Sequence, residues 1–438
     1  MSGASESAVQ VIVLGAGMAG LTAARALAER GVRVLVLEAR ERVGGRVFSQ
    51  QADGATVELG AEFVHGRVPE LWALIDEAGL ETVERDGTVL RAEPDGSLAE
   101  DDPQEHAIFD TLEDLRDHDG PDEAFAGYIA RKPMAEEDRA ALVGYVEGFN
   151  AADAKRIGIK GLAAQQAAED AIEGDRLWHV RGGYAQLAEY LAARVHELGG
   201  EIRLGEVVRR IEWGGGGVRI STDVGTVYAA PQCIVTLPLG VLLNGRVELA
   251  PEPPALAAAR RLAMGNVVRF SMVFRRCWWA DAPVAVPREK LEALSFLFTF
   301  AETPAVWWTP HPEPGRAELT GWIGGPRSAA LQGRSTDDLG AEACRILAKV
   351  FGVSEDDVRR ELISTHTHDW SADPFALGAY SYIPAGALDA SRAMTQPAEN
   401  TLFFAGEHTD ITGHWGTVHA AIRSGLRAAA QVLGEAIA

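Results

Sequence analysis

The stretch VIVLGAGMAGLTAARALAERGVRVLVLEARERVGGR, running from Val11 to Arg46, decides the fold. Val11 to Leu14 is a short apolar run, long enough for a buried parallel strand and too short for a helix. It leads straight into Gly15, Gly17 and Gly20, a G-x-G-x-x-G set whose third glycine opens a helix. Gly15 permits the tight turn, Gly17 lets a pyrophosphate approach the backbone, and Gly20 lets helix and strand pack closely, with the phosphates at the helix N-terminus. Leu21 to Arg30 carries the helix, Gly31 ends it, and Val32 to Leu37 reads as a second buried strand. Glu38 closes that strand roughly twenty residues beyond the loop, where an acid is wanted for the ribose hydroxyls of an adenine dinucleotide. The glycines alone are a weak signal. Strand, loop, helix, strand and acid in this order predict a dinucleotide site.

The loop does not choose between NAD and FAD; Arg42-Val43-Gly44-Gly45-Arg46 does. Its glycines bring backbone close to the cofactor, and its two permanent cations are expected to meet diphosphate charge. This R-x-G-G-R set resembles the second fingerprint of the flavin-containing amine oxidases, the family of monoamine oxidases, polyamine oxidases and histone lysine demethylases. Val57 to Gly66, VELGAEFVHG, is similar to the strand and glycine turn that pass beside the flavin ring there. The resemblance puts Gly60, Ala61 and Glu62 at the cofactor and His65 where polyamine oxidases carry a histidine near the substrate. Arg40, Val208 and Trp370 fall on further cofactor positions, Val208 being the residue whose backbone meets the adenine. At the C-terminal end, Thr401 to Phe404 reads as a buried strand followed by Gly406 and Glu407, and Gly416 to Gly425 opens a final helix. This resembles the family's C-terminal signature, with Glu407 as the ribityl-side acid. Thr417 and Val418 stand at a helix N-terminus that would stabilise negative charge on a reduced ring.

The resemblance implies an α/β, two-domain fold of the FAD-binding, Rossmann-like, glutathione-reductase type with a mixed α+β substrate domain. The FAD domain would be discontinuous, over 1–75, 200–262 and 392–438, and the substrate domain would take 76–199 and 263–391. Trp72 to Gln186 is acidic and reads as helical, with turns at Pro94-Asp95-Gly96 and Asp119-Gly120-Pro121 and no visible chemistry. Arg181 to Tyr184 is a glycine turn ahead of a helix over Leu187 to Leu198, Glu201 to Ile211 has a strand pattern, and Gly214 to Gly217 a hairpin turn. Strands are expected at Val267 to Phe274 and Leu294 to Phe300, then a helix near Leu339 to Val350. Of Trp278, Trp279, Trp307, Trp308, Trp322 and Trp370, most read as packing and one or two as cavity lining. His366 and His368 share a strand face, without a third ligand to suggest a metal.

Within the family a neutral amine loses hydride from its α-carbon to flavin N5, the imine is hydrolysed, and dioxygen reoxidises the flavin to give hydrogen peroxide. Two aromatic side chains commonly flank the amine. Tyr380 matches one, and the opposite position falls on Thr417, so the cage is half aromatic and should take bulkier or secondary amines. Monoamine oxidases attach FAD to a cysteine where this chain has Ala379, which implies noncovalent FAD. The lysine that usually bonds through water to N5 is matched by Arg269, a different group chemically: always charged, bulkier and able to hold a carboxylate bidentately. The substrate class is accordingly read as a small or polyamine-like amine. An L-amino-acid oxidase, an amine dehydrogenase that does not use dioxygen, desaturation of an apolar substrate, and a flavoprotein that binds a partner without turnover stay open.

The composition sets the outer bounds. At 438 residues, 47% hydrophobic and 24% charged, the chain reads as a folded soluble protein of two domains. Forty-one basic against 63 acidic side chains give a net charge of -22, which disfavours nucleic acid and anionic membranes as partners. Cys233, Cys277 and Cys344 make neither a disulfide framework nor a metal spacing, which suits a reducing, cytoplasmic compartment. The first ten residues lack the marks of a signal peptide, no run reaches the length of a membrane span, and the monoamine oxidase C-terminal anchor is not expected. A histone-demethylase role is disfavoured by the lack of a helical tower. The expected partners are a small-molecule amine and dioxygen, with a homodimer left open.

Overall fold

The computed structural model describes residues 9–93, 95–101, 107–310 and 317–436; the first eight residues and Pro94 lie outside these. At its centre is a five-stranded sheet in the spatial order Glu201–Arg203, Val34–Leu37, Val11–Leu14, Gln232–Val235, Leu402–Phe404, every neighbour parallel. Parallel neighbours need long crossovers, and the rest of the molecule is threaded through them. One face is covered by helices Met18–Glu29, Ala185–Glu197 and Val418–Leu433. The other packs on a four-stranded sheet ordered Val227–Ala230, Gly217–Thr222, Val208–Gly214, Glu248–Ala250. Burial on both faces is why Val11–Leu14 and Val34–Leu37 read as unbroken apolar runs.

Several boundaries move relative to the sequence reading. The first helix begins at Met18, so Gly20 lies inside its first turn, where a side chain would collide with the Gly15 carbonyl. Glu201 to Ile211 is two strands in two sheets, separated by a turn at Gly205, whose φ is +71°. Helix Ala185–Glu197, grouped above with the substrate half, buries Leu187, Leu191 and Val195 in the core beneath the parallel sheet. That four-residue spacing gives the one apolar stripe by which the helix packs there.

The second half is built on a mixed seven-stranded sheet ordered Leu362–Thr367, Val267–Phe274, Ala317–Gly324, Val306–Trp308, Leu294–Phe298, Thr88–Ala92, Leu98–Glu100. Val267–Phe274 is buried along its whole length and pairs antiparallel on both sides. Its outer face packs on helix Thr336–Phe351 through Phe270, Met272 and Leu347. Helices Phe125–Ile129, Glu136–Asn150 and Ile159–Asp170 cover the other side of the site. The region from Trp72 to Gln186 is therefore less helical than its composition suggests. It also contributes strands Thr82–Glu84, Thr88–Ala92, Leu98–Glu100 and Leu177–Val180, each too short to impose a period of two on an acidic, alanine-rich background.

Candidate active site

A single cavity of about 1620 Å³ runs from the glycine loops to the seven-stranded sheet. This exceeds the few hundred to one thousand Å³ of an ordinary small-molecule pocket, and leaves room for a dinucleotide together with a second ligand. At its dinucleotide end the two fingerprints are joined: Gly44 N donates to the Ala16 carbonyl at 2.8 Å, and a Cβ at Gly45 would stand 3.3 Å from Gly17 Cα. A side chain at Gly17 would meet no protein atom within 4 Å and would instead fill the cleft. Gly15, at φ +103°, makes the turn. Glu38 accepts from Ala16 N at 2.7 Å and from Arg40 N at 2.9 Å, which fixes its carboxylate at the end of the second strand. An open glycine cradle at a helix N-terminus beside a held carboxylate fits an adenine dinucleotide.

The two arginines of the R-x-G-G-R loop do not share a task. Arg42 donates to the Val43 carbonyl at 3.0 Å and the Gly45 carbonyl at 2.9 Å, with its guanidinium 3.9 Å from the Phe48 ring centroid. It supports the loop from behind and does not line the cavity, which corrects the expectation of a second diphosphate cation. Arg46 does line the cavity, and its Nη1 reaches Glu407 at 2.9 Å and the Ala379 carbonyl at 2.8 Å. Glu407 also accepts from Ser381 Oγ at 2.6 Å and Gly416 N at 3.0 Å. It joins the R-x-G-G-R loop, the Tyr380 loop and the final helix entrance. Arg40 pairs with Asp373 at 2.8 Å, and Asp373 with His368 at 2.7 Å. Burial opposes charge on Asp373, but His368 and Arg40 hold its carboxyl well below the usual range.

Gly60, Ala61, Glu62 and His65 all line the cavity, as do Val208, Trp370, Gly406, Thr417 and Val418. The Glu62 side chain is bonded within the protein. It accepts from Arg269 Nη2 at 2.8 Å and from Trp308 Nε1 at 3.1 Å, with His179 Nδ1 at 3.3 Å. Burial works against its charge, and Arg269, His179 and Arg85 outweigh that, so its carboxyl sits below the ordinary value. Arg269 is 2% exposed, donates a second bond to the Gly60 carbonyl at 2.7 Å, and lies 5.7 Å from the Trp308 ring. Its Nε has no hydrogen-bond partner among the described residues. It is a buried ion-paired group at the cavity wall and not a strand-surface arginine. His65 is pushed down to about 4 by burial and is neutral at pH 7.

Tyr380 is held by a bond from its hydroxyl to the Phe149 carbonyl at 2.8 Å, with Gly416 flat against its ring: a Cβ there would lie 2.9 Å from Tyr380 Cδ2. Thr417 faces the cavity, but its hydroxyl is committed, accepting from Ala420 N at 3.1 Å and donating to the His414 carbonyl at 2.7 Å. Thr417 is the N-cap of the last helix and has no free hydroxyl proton to exchange with a ligand, so its expected catalytic part is limited to leaving space. Trp370 donates to the Leu59 carbonyl at 2.8 Å. Trp308, Trp322 and Trp370 line the cavity while Trp278, Trp279 and Trp307 pack in the core. His366 turns to Ser364 and Asp53, away from His368, and no metal-binding group of His, Cys, Asp and Glu occurs among the described residues.

The sequence reading missed the residues that close the far side. Tyr145 and Phe149, stacked at 5.8 Å, and Gln165 and Glu169 come from the region in which no chemistry was visible. Phe296, Phe298 and Phe300 alternate along one strand and its end, and their rings stack in sequence at 6.2 and 5.4 Å. The four-residue and two-residue spacings of these pairs were the available signals.

A family model described as flavin containing amine oxidoreductase matches residues 18–110 and 89–433. Polyamine oxidase 2 of Arabidopsis thaliana is 30% identical over 461 residues, 96% of this chain and 87% of the relative. Lysine-specific histone demethylase 1 homolog 2 of Oryza sativa subsp. japonica is 29% identical over 97% of this chain, which spans 57% of that longer relative. Among solved structures, cyclohexylamine oxidase from Brevibacterium oxydans IH-35A superposes with a TM-score of 0.82 at 22% identity, covering 98% of this chain and 99% of the other.

Proposed function

The chain belongs to the flavin-containing amine oxidoreductase family, its cofactor is FAD, and on that premise we propose an oxidase that takes a small or polyamine-like amine at Tyr380 and returns electrons to dioxygen. The chemistry that FAD would supply when bound is two-electron oxidation of the amine at its α-carbon, to an imine that water hydrolyses, with dioxygen reduced to hydrogen peroxide. The chain's own residues bind, orient and exclude water. Tyr380, fixed by the Phe149 carbonyl, makes one wall against the amine. Trp308, Phe296 and Phe298 keep the site apolar. Neutral His65 adds no positive charge that would repel an incoming ammonium.

The observation that carries the choice of an amine over an amino acid is the pairing of Arg269. Its guanidinium is already bound to Glu62 and the Gly60 carbonyl. A carboxylate would have to displace Glu62 and leave it buried without its cation, at a cost of several kcal/mol. The other arginines on the substrate side are engaged too: Arg91 with Glu93, and Arg327 with the Glu302 carbonyl. Ala379 beside Tyr380 offers no thiol, which supports noncovalent FAD; acid precipitation should leave the yellow flavin in the supernatant.

The test is an anaerobic flavin spectrum of the purified holoenzyme mixed with monoamines, diamines and L-amino acids. Bleaching by amines and not amino acids, reversed by air with one peroxide per turnover, is the expected result. Bleaching by amino acids would overturn the Arg269 argument, and amine bleaching that air does not reverse would make the enzyme a dehydrogenase.

A further inference from the structure

Glu62 stands between two arginines, of which Arg269 lines the cavity and Arg85 lies behind its wall. The segment that carries Glu62 is backed onto the cofactor end. A Cβ at Gly60 would stand 2.0 Å from the Arg46 carbonyl, and Ala61 N donates to the same carbonyl at 3.0 Å. From Glu62 a chain of hydrogen bonds leads away from the cavity into a small antiparallel sheet ordered Phe63–His65, Leu177–Val180, Thr82–Glu84. His179 lies on the middle strand, opposite Phe63 on one side and Val83 on the other. Arg85 follows the third strand. Its Nη1 is 3.0 Å from His179 Nε2 and 2.5 Å from the Thr309 carbonyl, and its Nη2 bonds to the Ser295 carbonyl. A guanidinium only donates, so His179 Nε2 accepts and the ring proton sits on Nδ1, which faces Glu62 Oε1 at 3.3 Å. His179 is therefore neutral.

The chain Arg85, His179, Glu62, Arg269 thus holds two cations, one anion and one neutral ring. Burial lowers Arg85 to about 10, which leaves it charged at pH 7. Glu62 is ionised, held below the ordinary carboxyl value. Glu58, the next acid upstream, is pushed up to about 8 by burial and is protonated at pH 7, so it takes no share in the balance. His65, whose ring is 6.1 Å from that of Phe63, is neutral as well. One positive charge is left over. It is set among rings, with the Arg85 guanidinium 4.2 Å from the Phe296 centroid and 5.6 Å from that of Phe63. Arg269 is 2% exposed, and its two Nη atoms are taken by the Gly60 carbonyl and Glu62. The surplus charge therefore reaches a bound group as a field and not as a contact, and buried charge is screened less than charge in water.

We propose that Arg85 is a positioning residue for the charge of this wall: through His179 and Glu62 it leaves the wall one net positive charge, which favours the anionic reduced form of the bound flavin. The neutral oxidised ring takes up two electrons and one proton from the substrate to reach that form, and the resulting negative charge is what the wall stabilises. The inference needs the cofactor, and neither the choice of amine nor that of dioxygen.

The test is the two-electron midpoint potential of the flavin in the holoenzyme without substrate, read spectrally against reference dyes at pH 7. Arg85→Met removes a cation and should lower the equilibrium constant for reduction about tenfold, or about 30 mV. Glu62→Gln removes the anion and should raise it by a similar factor. Arg85→Lys keeps the charge and should stay close to the parent. The double change Arg85→Met, Glu62→Gln again leaves one cation and should return to the parent value. Loosened packing would move the two single variants in the same direction, since both break the same chain of hydrogen bonds; opposite signs are the mark of charge. Where Arg85→Met gives no folded holoenzyme, Glu62→Gln and the double variant decide between them. Shifts of one sign in both single variants, an Arg85→Lys value equal to that of Arg85→Met, a double variant as far from the parent as Glu62→Gln, or potentials unchanged throughout would each overturn the proposal. No amine is present in the measurement, so these outcomes leave the substrate reading standing, and failure of amines to bleach the flavin leaves this one standing.

Discussion

Arg269 and Glu58 show how differently two buried ionisable groups are stabilised near this site. Arg269 and Glu62 form a pair whose side chains are 3% and 4% exposed, where removing one partner strands the other charge. Glu62→Ala should destabilise the holoenzyme by about 3–5 kcal/mol, while the double change Glu62→Met, Arg269→Met should cost less than the single one, because neither charge is then buried. Urea unfolding of the two variants checks this; a double variant worse than the single would refute it. Glu58 is bonded by neutral donors, and the charge of Arg269 acts on it only as a minor influence. It accepts from Tyr184 N and Ser49 Oγ, each at 2.7 Å, and burial pushes its carboxyl up to about 8 from an ordinary 4.5. Its folded state therefore holds a proton that the unfolded state gives up between those values, and stability falls as pH rises from about 4.5 to about 8. Glu58→Gln keeps the neutral form permanently. Its melting curve should match the parent at pH 5 and exceed it at pH 9 by at least the roughly 1.4 kcal/mol that one pKa unit represents. A variant that melts lower at both pH values would show that Glu58 is needed in its ionised form.

At the scale of elements, the final helix depends on Thr417, since no acidic residue lies in its first turn to help. Thr417→Ala should lower stability by about 1 kcal/mol, whereas Thr417→Ser should hold it, as read by thermal melts of the holoenzyme. Equal melting of all three proteins would mean the cap contributes nothing. The start of the chain was legible because each residue type there has one local reason: glycines for turn and close approach, an apolar run for a strand buried on both faces, an acid at its end. The Tyr380 position and the Ala379 and Arg269 departures were legible only through resemblance. What the sequence could not show was pairing across long separations. Glu62 and Arg269 are 207 residues apart, and nothing local in Glu62 distinguishes a cofactor contact from a counter-ion. Gln165 and Glu169 at the cavity were hidden for another reason. Their helix scatters Ile159, Leu162 and four alanines among its polar residues without gathering them into a stripe, so neither period nor contrast marks the face that turns inward.

For the molecule as a whole, the cavity is walled by both halves, and no helix among the described residues is long and apolar enough to cross a membrane. Direct links among the residues that line the cofactor end include Arg40 to Asp373 and Arg46 to Glu407 and the Ala379 carbonyl. A dinucleotide lying between these links would touch the parallel sheet, the R-x-G-G-R loop and the final helix together, so its binding energy adds to the cohesion of the fold. A ligand that binds the folded chain and not the unfolded one stabilises it by RT ln(1 + [L]/Kd), which is about 1.4 kcal/mol for each tenfold rise in free ligand above Kd. Apoprotein stripped of flavin should therefore melt below the holoenzyme. Added FAD should raise its midpoint steadily with the logarithm of concentration, and FMN, which lacks the adenosine that Glu38 is placed to hold, should raise it far less. Scanning fluorimetry over graded FAD and FMN reads this directly. Equal effects of the two flavins would remove Glu38 and the glycine cradle from cofactor binding. A midpoint unmoved by either flavin would mean that the stripped chain no longer holds the parallel sheet on which the cradle is built.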